Sequence, residues 1–592
     1  MDESLLVLLK SNQAPSDDVI STINSIITEP NAKLFSISAE IEKTRRRLEE
    51  LESEKHAILK TLKPYHIILS PARRLPPDML QEIFCRCLRI DQYPTMSAKD
   101  APLLLTRVCR MWRDVAVSTP QLWTRLHIPW CEAHNTVQFK RRWNAMQRRF
   151  TAVEEWLHKS GDLPLSLSLH FAYTSCDSQM RESTDIARKL KSLESSSAER
   201  LLHLLVPFAR RLKELDLSLP QDVFKEIDLL PKLVDLPILQ TIRIRDMHSF
   251  NFFAASNLFN LPSLYRMTLT TACREWNPIP LATTSNLTEL NLLHTPLSLE
   301  YAITVFENIR QLKHCSLTIS EGHHHQQIQT WPMSISLPCL KTLHVRESMH
   351  TRTGSMTKFF NSIYAPNLTW VSHHRHPYFY PHVATNNIAR RVQFEALDFI
   401  RRCNLKRLSF DQYTLDSSAF EDILRASPSI HHLDIGYPPG EAGFADRGGL
   451  QDLDDLDIVT PLIHSTKRQP EDISGIFLPN LAVFEAWCPN IITDESVLRF
   501  ILSRLSPIPD NSISNLKMVR IYFLRSMQDD IAPRVLEHAK KLGLEFELDL
   551  SYNPMFVAPK RDPSSTSYGI SEQDSINNSF YPYRACFPEF QV

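Results

Sequence analysis

Apolar residues recur along this chain in successive rhythms, and each rhythm predicts a different kind of element. From Ile37 the interval alternates between four and three: Ile37, Ile41, Thr44, Leu48, Leu51, Lys55, Ile58, Leu62. An average of 3.5 residues is the seam of a heptad helix. The charged run EKTRRRLEELESEK between those positions suits its solvent face. An amphipathic helix is therefore predicted over residues 33–63, ended by Pro64 and Pro71. Thr44 and Lys55 interrupt the seam, which leaves two uses for it: packing along a neighbouring helical module, or pairing with a second copy. Residues 1–32 are mixed and polar and receive no assigned fold.

The second rhythm runs from Leu75 to Trp123. Pro76 and Pro77 suit the first turn of a helix, where a missing N–H costs nothing. Asp78 there complements the helix dipole. Met79, Leu80, Ile83, Phe84 and Leu88 follow at helical spacing. RIDQYPTMSAKD (89–100) reads as a connection, and Leu103–Val117 as a second helix with Leu104, Val108 and Val115 on one side. Pro120 breaks it, and Leu122 with Trp123 folds back to close a small core.

The third rhythm begins near Leu163. The unit L-x-x-L-x-L recurs as LKELDL from Leu212, LQTIRI from Leu239, LYRMTL from Leu264, LTELNL from Leu287 and LKHCSL from Leu312. It continues as LKTLHV from Leu340, LTWVSH from Leu368, LKRLSF from Leu405, IHHLDI from Ile430, LAVFEA from Leu481 and LKMVRI from Leu516. Starts from Leu212 to Leu368 lie 27, 25, 23, 25, 28 and 28 residues apart. This is leucine-rich-repeat periodicity, somewhat degenerate, in which each unit points its apolar positions inward from a short strand. Tyr301–Leu312 and Asp494–Leu505 read as return helices. The Gly-, Pro- and Asp-rich stretch 436–475 reads as an inserted loop, and 553–592 as a tail.

Leu75-Pro76, Ile83-Phe84, Val108-Cys109-x-x-Trp112 and Leu122-Trp123, in that order, resemble an F-box, the helical module that docks on the Skp adaptor of SCF-type ubiquitin ligases. With the charged heptad helix before it and the repeats after it, the chain is similar to F-box proteins of mushroom-forming fungi. The resemblance implies an α/β chain: an N-terminal helix and a small all-α F-box, then an irregular leucine-rich-repeat solenoid. The expected segments are 1–32, helix 33–63, F-box 71–127, helical linker 128–162, solenoid 163–552 and tail 553–592. It also implies that Leu75, Pro76, Leu80, Ile83, Phe84, Val108, Cys109 and Trp112 bind the adaptor, or position residues that do. Through the adaptor the chain would reach a cullin scaffold.

Composition narrows the remaining classes. Lys plus Arg is 66 and Asp plus Glu 67, so no global charge points to nucleic acid or an acidic membrane, and neither partner is expected. Glycine numbers only 11, and no phosphate-cradling glycine motif occurs. There is no signal-peptide pattern and no apolar run of about 20 residues. The 11 scattered cysteines then read as reduced, and the expected compartment is cytoplasm or nucleus.

No cofactor, metal or catalytic residue is expected. His323–His325 and His373, His374 and His376 lack metal-ligand spacing. Cys85 and Cys87 diverge on a helix. Asp452, Asp454, Asp455 and Asp457 lack the Gly and Glu of a calcium loop. A target-binding band is expected on the concave face of the repeats: Arg243, Arg245, Arg266, His344, Arg346, Trp370, His374 and Arg407, flanked by Glu214, Asp216, Asp434 and Glu485. Arginine forks there would suit an acidic or phosphorylated segment. The expected role is a non-catalytic substrate receptor of a ubiquitin ligase; a scaffold working without ubiquitin transfer is the alternative.

Overall fold

A computed structural model describes residue 8 and residues 14–89, 92–130, 136–171, 199–219, 221–246, 257–271, 286–320, 334–348, 354–376, 394–411, 415–436, 458–463, 477–487, 492–505, 515–523 and 525–552. The tail, most of the inserted stretch, His323–His325 and the four aspartates at 452–457 lie outside the described residues. The chain is of α/β class and forms two compact units, Met1–Leu80 and Gln81–Val592.

The first unit is dominated by one helix, α1, Asp17–Ile68, 52 residues long. It starts well before the seam and runs past Pro64, which corrects both predicted ends. Ser16 is extended before it, and Asp17 and Asp18 sit in its first turn, where carboxylates meet the positive end of the dipole. Pro30 and Pro64 lie inside it, so each removes one backbone bond without ending the helix. The closing turn is secured by Leu69 N donating to Tyr65 O at 2.9 Å.

Helix α2, Pro77–Arg86, carries the unit boundary. The predicted second helix of this region is divided: a 3₁₀ turn at Leu105–Arg107, then α3 at Arg110–Val117. The break falls at Cys109, which is extended and caps α3 by accepting from Trp112 N at 3.5 Å. The segment 128–162, expected as a helical linker, holds helix α4 Thr136–Lys159, but a strand, β1 Arg125–Trp130, runs into its start. RLHIPW alternates buried Leu126 and Ile128 with polar or ring positions, the period of a strand.

The sheet therefore begins earlier than the repeats suggested. It contains β1 and β2 Leu165–Phe171, β3 Leu212–Ser218, β4 Thr241–Asp246, β5 Arg266–Thr271, β6 Glu289–Leu297 and β7 His314–Ile319. Two short strands, β8 Ile335–Ser336 and β10 Ile363–Tyr364, pair apart from it. Between and after them come β9 Thr342–Ser348, β11 Trp370–His376, β12 Arg407–Phe410, β13 His432–Ile435, β14 Val483–Trp487, β15 Met518–Phe523 and β16 Glu547–Tyr552. The 14 strands of the large sheet follow one another in chain order, and every described pairing is parallel. Parallel neighbours need crossover connections. Leu299–Asn308 and Asp494–Leu505, close to the two segments read as return helices, supply two of them.

The leucine units and the strands interlock. In LQTIRI, LYRMTL, LTELNL, LKHCSL and LKTLHV the first leucine lies two residues before the strand and is fully buried. The next apolar residue sits inside the strand, and the register aligns these from strand to strand: Leu167, Leu215, Ile242, Met267, Leu290 and Cys315, continuing to Leu548. Each row of leucines thus packs on the next, and the core is one apolar layer along the sheet.

Two positions pin the later strands. Gly436, at φ +92, lies where a Cβ would be 2.7 Å from Trp487 O, so only glycine permits the approach of Trp487, whose ring stacks on Tyr522 at 4.0 Å. Arg504 is buried and donates to Leu462 O, Leu478 O and Phe477 O at 3.0, 3.0 and 2.7 Å. It stitches two separate segments to the helix Asp494–Leu505. Replacing Arg504 by Met strands two buried carbonyls and one part-buried one and should destabilise the protein by about 3 kcal/mol or more. Urea unfolding checks this, and a loss under about 1 kcal/mol would mean that the carbonyls find other donors.

Candidate functional site

The helical module between Leu75 and Trp123 is closed by aromatic packing. Phe84 is fully buried and its ring lies 5.0 Å from that of Trp112. Trp123 donates from its indole N to Ala116 O at 2.9 Å and meets Trp156 of α4 edge-on at 4.8 Å. Leu80 and Leu122 are buried, Leu75 is half-buried and Pro76 exposed.

Beside this core several apolar side chains stay in solvent. Ile83 is 39% exposed, Leu104 45%, Val108 55% and Met111 37%. They flank the ring contact: Ile83 precedes Phe84, and Val108 and Met111 lie within one turn of Trp112, which is half-buried. Cys109 is exposed, its sulfur engaged as the cap of α3. The residues expected at the adaptor thus divide. Leu80 and Phe84 are core, Leu75 and Trp112 are half-covered, and Pro76, Ile83, Val108 and Cys109 are open.

The connection between the two helices does more than was read from it. Tyr93 is buried, its hydroxyl donates to Glu214 Oε2 at 3.2 Å, and Arg243 Nη1 donates to that hydroxyl at 3.5 Å. The Arg125 guanidinium lies 4.8 Å from the ring, and His127 N donates to Pro94 O at 2.8 Å. Burial pushes the hydroxyl well above the usual tyrosine range, with Arg243 opposing, so it stays a donor. The loop thereby ties the module to β1, β3 and β4. The one signal for this was an aromatic-proline pair, Tyr93-Pro94, inside an otherwise polar connection.

The expected target-binding residues do share one face of the sheet. One polar row runs through His127, Ser168, Asp216, Arg243, Thr268 and Asn291 and on through Ser316, His344, Ser372, Ser409, Asp434, Glu485, Arg520 and Asp549. The arginines expected to bind a target are not an open band. Arg243, Arg245, His344, Arg346, Trp370 and His374 are buried. The charges are also matched along the sheet. Arg245 Nη2 lies 3.3 Å from both Asp216 oxygens, and Arg266 Nη2 3.2 Å from Glu289 Oε1. Arg407 sits 4.1 Å over the Trp370 ring and 3.9 Å from Asp434, and Arg520 lies 3.1 Å from Glu485 and 3.2 Å from Asp549. Arg245, Arg266 and Arg407, and the carboxylates Asp216, Asp434 and Glu485, were legible in the sequence; which arginine meets which carboxylate across neighbouring strands was not. Arg266, Arg407, His432 and Arg520 remain partly open.

The histidines belong to this face and to the core. His373 and His374 point to opposite sides of β11: His373 pairs with Glu347 at 3.3 Å, and His374 with Ser409 at 2.8 Å. Among the described residues no three His, Cys, Asp or Glu side chains group as a metal site. No helix among them is long and apolar enough to cross a membrane. Burial, with Arg407 and His314 adding to it, holds His344 down at about 3, and burial with Arg407 and Arg520 does the same for His432. Asp434 is pushed up to about 7 by burial and by Glu485.

No protein-family model matches the chain, and no curated protein does. Among solved structures, a Bacteroides fragilis protein determined as a structural-genomics target aligns with 62% of this chain and 84% of its own. The identity is 13% and the TM-score 0.27, values that carry no argument about fold or function.

Two measurements test this geometry. Tyr93→Phe removes one donor and one acceptor and should cost about 1–2 kcal/mol; Tyr93→Ala also empties a ring-sized site and should cost about 3–5 kcal/mol. Equal urea midpoints for all three chains would show that the loop is not a structural tie. The second concerns acid. Below about pH 6.5 the unfolded chain protonates His344 and the folded chain does not, so this residue makes stability fall as pH drops from about 6.5 towards 3. Asp434 acts oppositely between about pH 4 and 7, since its folded form holds a proton that the unfolded form releases. His344→Gln should therefore flatten the loss of stability between pH 6.5 and 4 relative to wild type. An unchanged slope would mean that His344 is protonated in the fold.

Proposed function

We propose that the chain is the substrate-recognition subunit of an SCF-type ubiquitin ligase and is not itself catalytic. On this reading the module from Leu75 to Trp123 is an F-box that docks on the Skp adaptor, which connects it to a cullin scaffold. The parallel strands that follow form a leucine-rich-repeat array that holds a target protein. Cytoplasm or nucleus is the matching compartment.

The observation that carries the reading is the division of labour within the module. Phe84, Trp112 and Trp123 build its core, while Ile83, Leu104, Val108 and Met111 are left in solvent on the same small unit. Several large apolar side chains left exposed within one short module are what a docking surface requires. Those open positions include Ile83 and Val108, two that the F-box motif assigns to the adaptor. Target binding acts through proximity: holding the target beside a charged ubiquitin carrier raises the effective concentration of its lysines. The partly open positions Arg266, Glu289, Arg407, Arg520 and Asp549, which carry both signs of charge, lie within a target's reach on the polar face.

The test is co-purification with the Skp adaptor. Ile83→Asp with Val108→Asp places two carboxylates on the exposed patch without touching Phe84, so folding should hold while adaptor binding falls by roughly 100-fold or more. A folded double variant that binds as well as wild type, or a wild type that does not bind, would remove the F-box reading.

A further inference from the structure

Helix α1 leaves its apolar seam in water. No residue of the helix is buried, and Leu34, Ile37, Ile41, Leu48, Leu51 and Ile58 are between 47% and 60% exposed. From Leu34 to Leu62, between the two internal prolines, nine seam positions follow one another, and all but Thr44 and Lys55 are Leu or Ile. A straight helix drifts about 20° per heptad against such a seam, so what covers it over this length must supercoil with it. That requirement selects another heptad helix rather than a flat protein surface.

The charges beside the seam select which helix. With Ile41 and Leu48 at a, and Thr44 and Leu51 at d, Glu40 and Arg47 fall at g, and Arg45 and Glu52 at e. In a parallel, in-register pair each g residue meets the following e residue of the other helix. Glu40 then faces Arg45 of the second copy and Arg47 faces Glu52, each twice by symmetry. Lys55 at an a position is the kind of polar insertion that fixes register and strand number. Within one chain, among the described residues, Arg45 pairs with Glu42 at 3.6 Å and Arg47 with Glu50 at 2.9 Å, exposed pairs of little worth.

We propose that α1 pairs with α1 of a second copy of this chain as a parallel two-stranded coiled coil from Leu34 to Leu62, a contact of about 43 Å. The pairing stands without the proposed function; its consequence, two target-holding surfaces acting with shared avidity, rests on that reading.

The test is the mass of the full chain in solution by light scattering at micromolar concentration. Wild type should show about twice 68.4 kDa, and Leu48→Glu with Leu51→Glu should show the single-chain mass. A second pair of variants reads the orientation. Glu40→Arg with Arg47→Glu puts like charges at all four contacts and should weaken association roughly tenfold or more. Adding Arg45→Glu and Glu52→Arg should restore it. A wild type of single-chain mass overturns the pairing. A Glu40→Arg, Arg47→Glu chain that associates as wild type overturns the parallel register, because an antiparallel pair sets Glu40 against Arg47 and survives the exchange. Adaptor binding, measured separately, does not enter either outcome.

Discussion

Parallel register, strand after strand in chain order, is the constraint on which the larger unit depends. It makes each side chain the neighbour of its equivalents on both adjoining strands, so a residue's surroundings are set by rows rather than by its own strand. On one face the row is apolar from Leu126 through Ile242 and Leu343 to Leu548. On the other it is polar, and much of it is closed to water. Buried charge is tolerated only when matched, and here the matching runs across strands: Asp216 to Arg245, Glu289 to Arg266, Asp434 to Arg407, Glu485 to Arg520. The order of the strands is thus also an order of charges.

That distinction explains what could be read in advance. The strands after Leu239 stand two residues past the first leucine of each unit, because the leucine spacing is local and the hydrophobic requirement is the same at every repeat. The basic band was misjudged for the complementary reason. Arg243, Arg245 and Arg346 share a face, as alternation requires, but their burial and partners depend on strands that lie 20 or more residues away in sequence. Boundaries failed for local reasons. Helix α1 passes Pro30 and Pro64 because one lost bond does not outweigh intact turns on either side, and the second helix of the module is cut because Cys109 caps α3.

Tyr93 joins these two levels. A polar connection between helices is ordinarily free to move. Here a phenol inserted between Glu214 and Arg243, with Arg125 against its ring, makes the loop a part of the sheet. Tyr93 and Pro94 of the module are thereby held against β1, β3 and β4. On the proposed reading of the chain as a receptor that works by proximity, such a joint matters as much as either surface, since effective concentration falls when the geometry between the two is loose.

The two kinds of surface imply two kinds of recognition. The exposed set Ile83, Leu104, Val108 and Met111 is apolar, so on the proposed reading the adaptor meets it with apolar area and its strength comes from burial. The sheet's open polar positions offer the reverse. Arg266, Arg407 and Arg520 already hold carboxylates, and a ligand bearing only negative charge would have to displace Glu289, Asp434 or Glu485 to reach them. A partner that presents both signs replaces each internal pair with two external ones and strands no charge. On the proposed reading of this face as a target surface, specificity lies in the spacing of alternating charges, not in an excess of one sign.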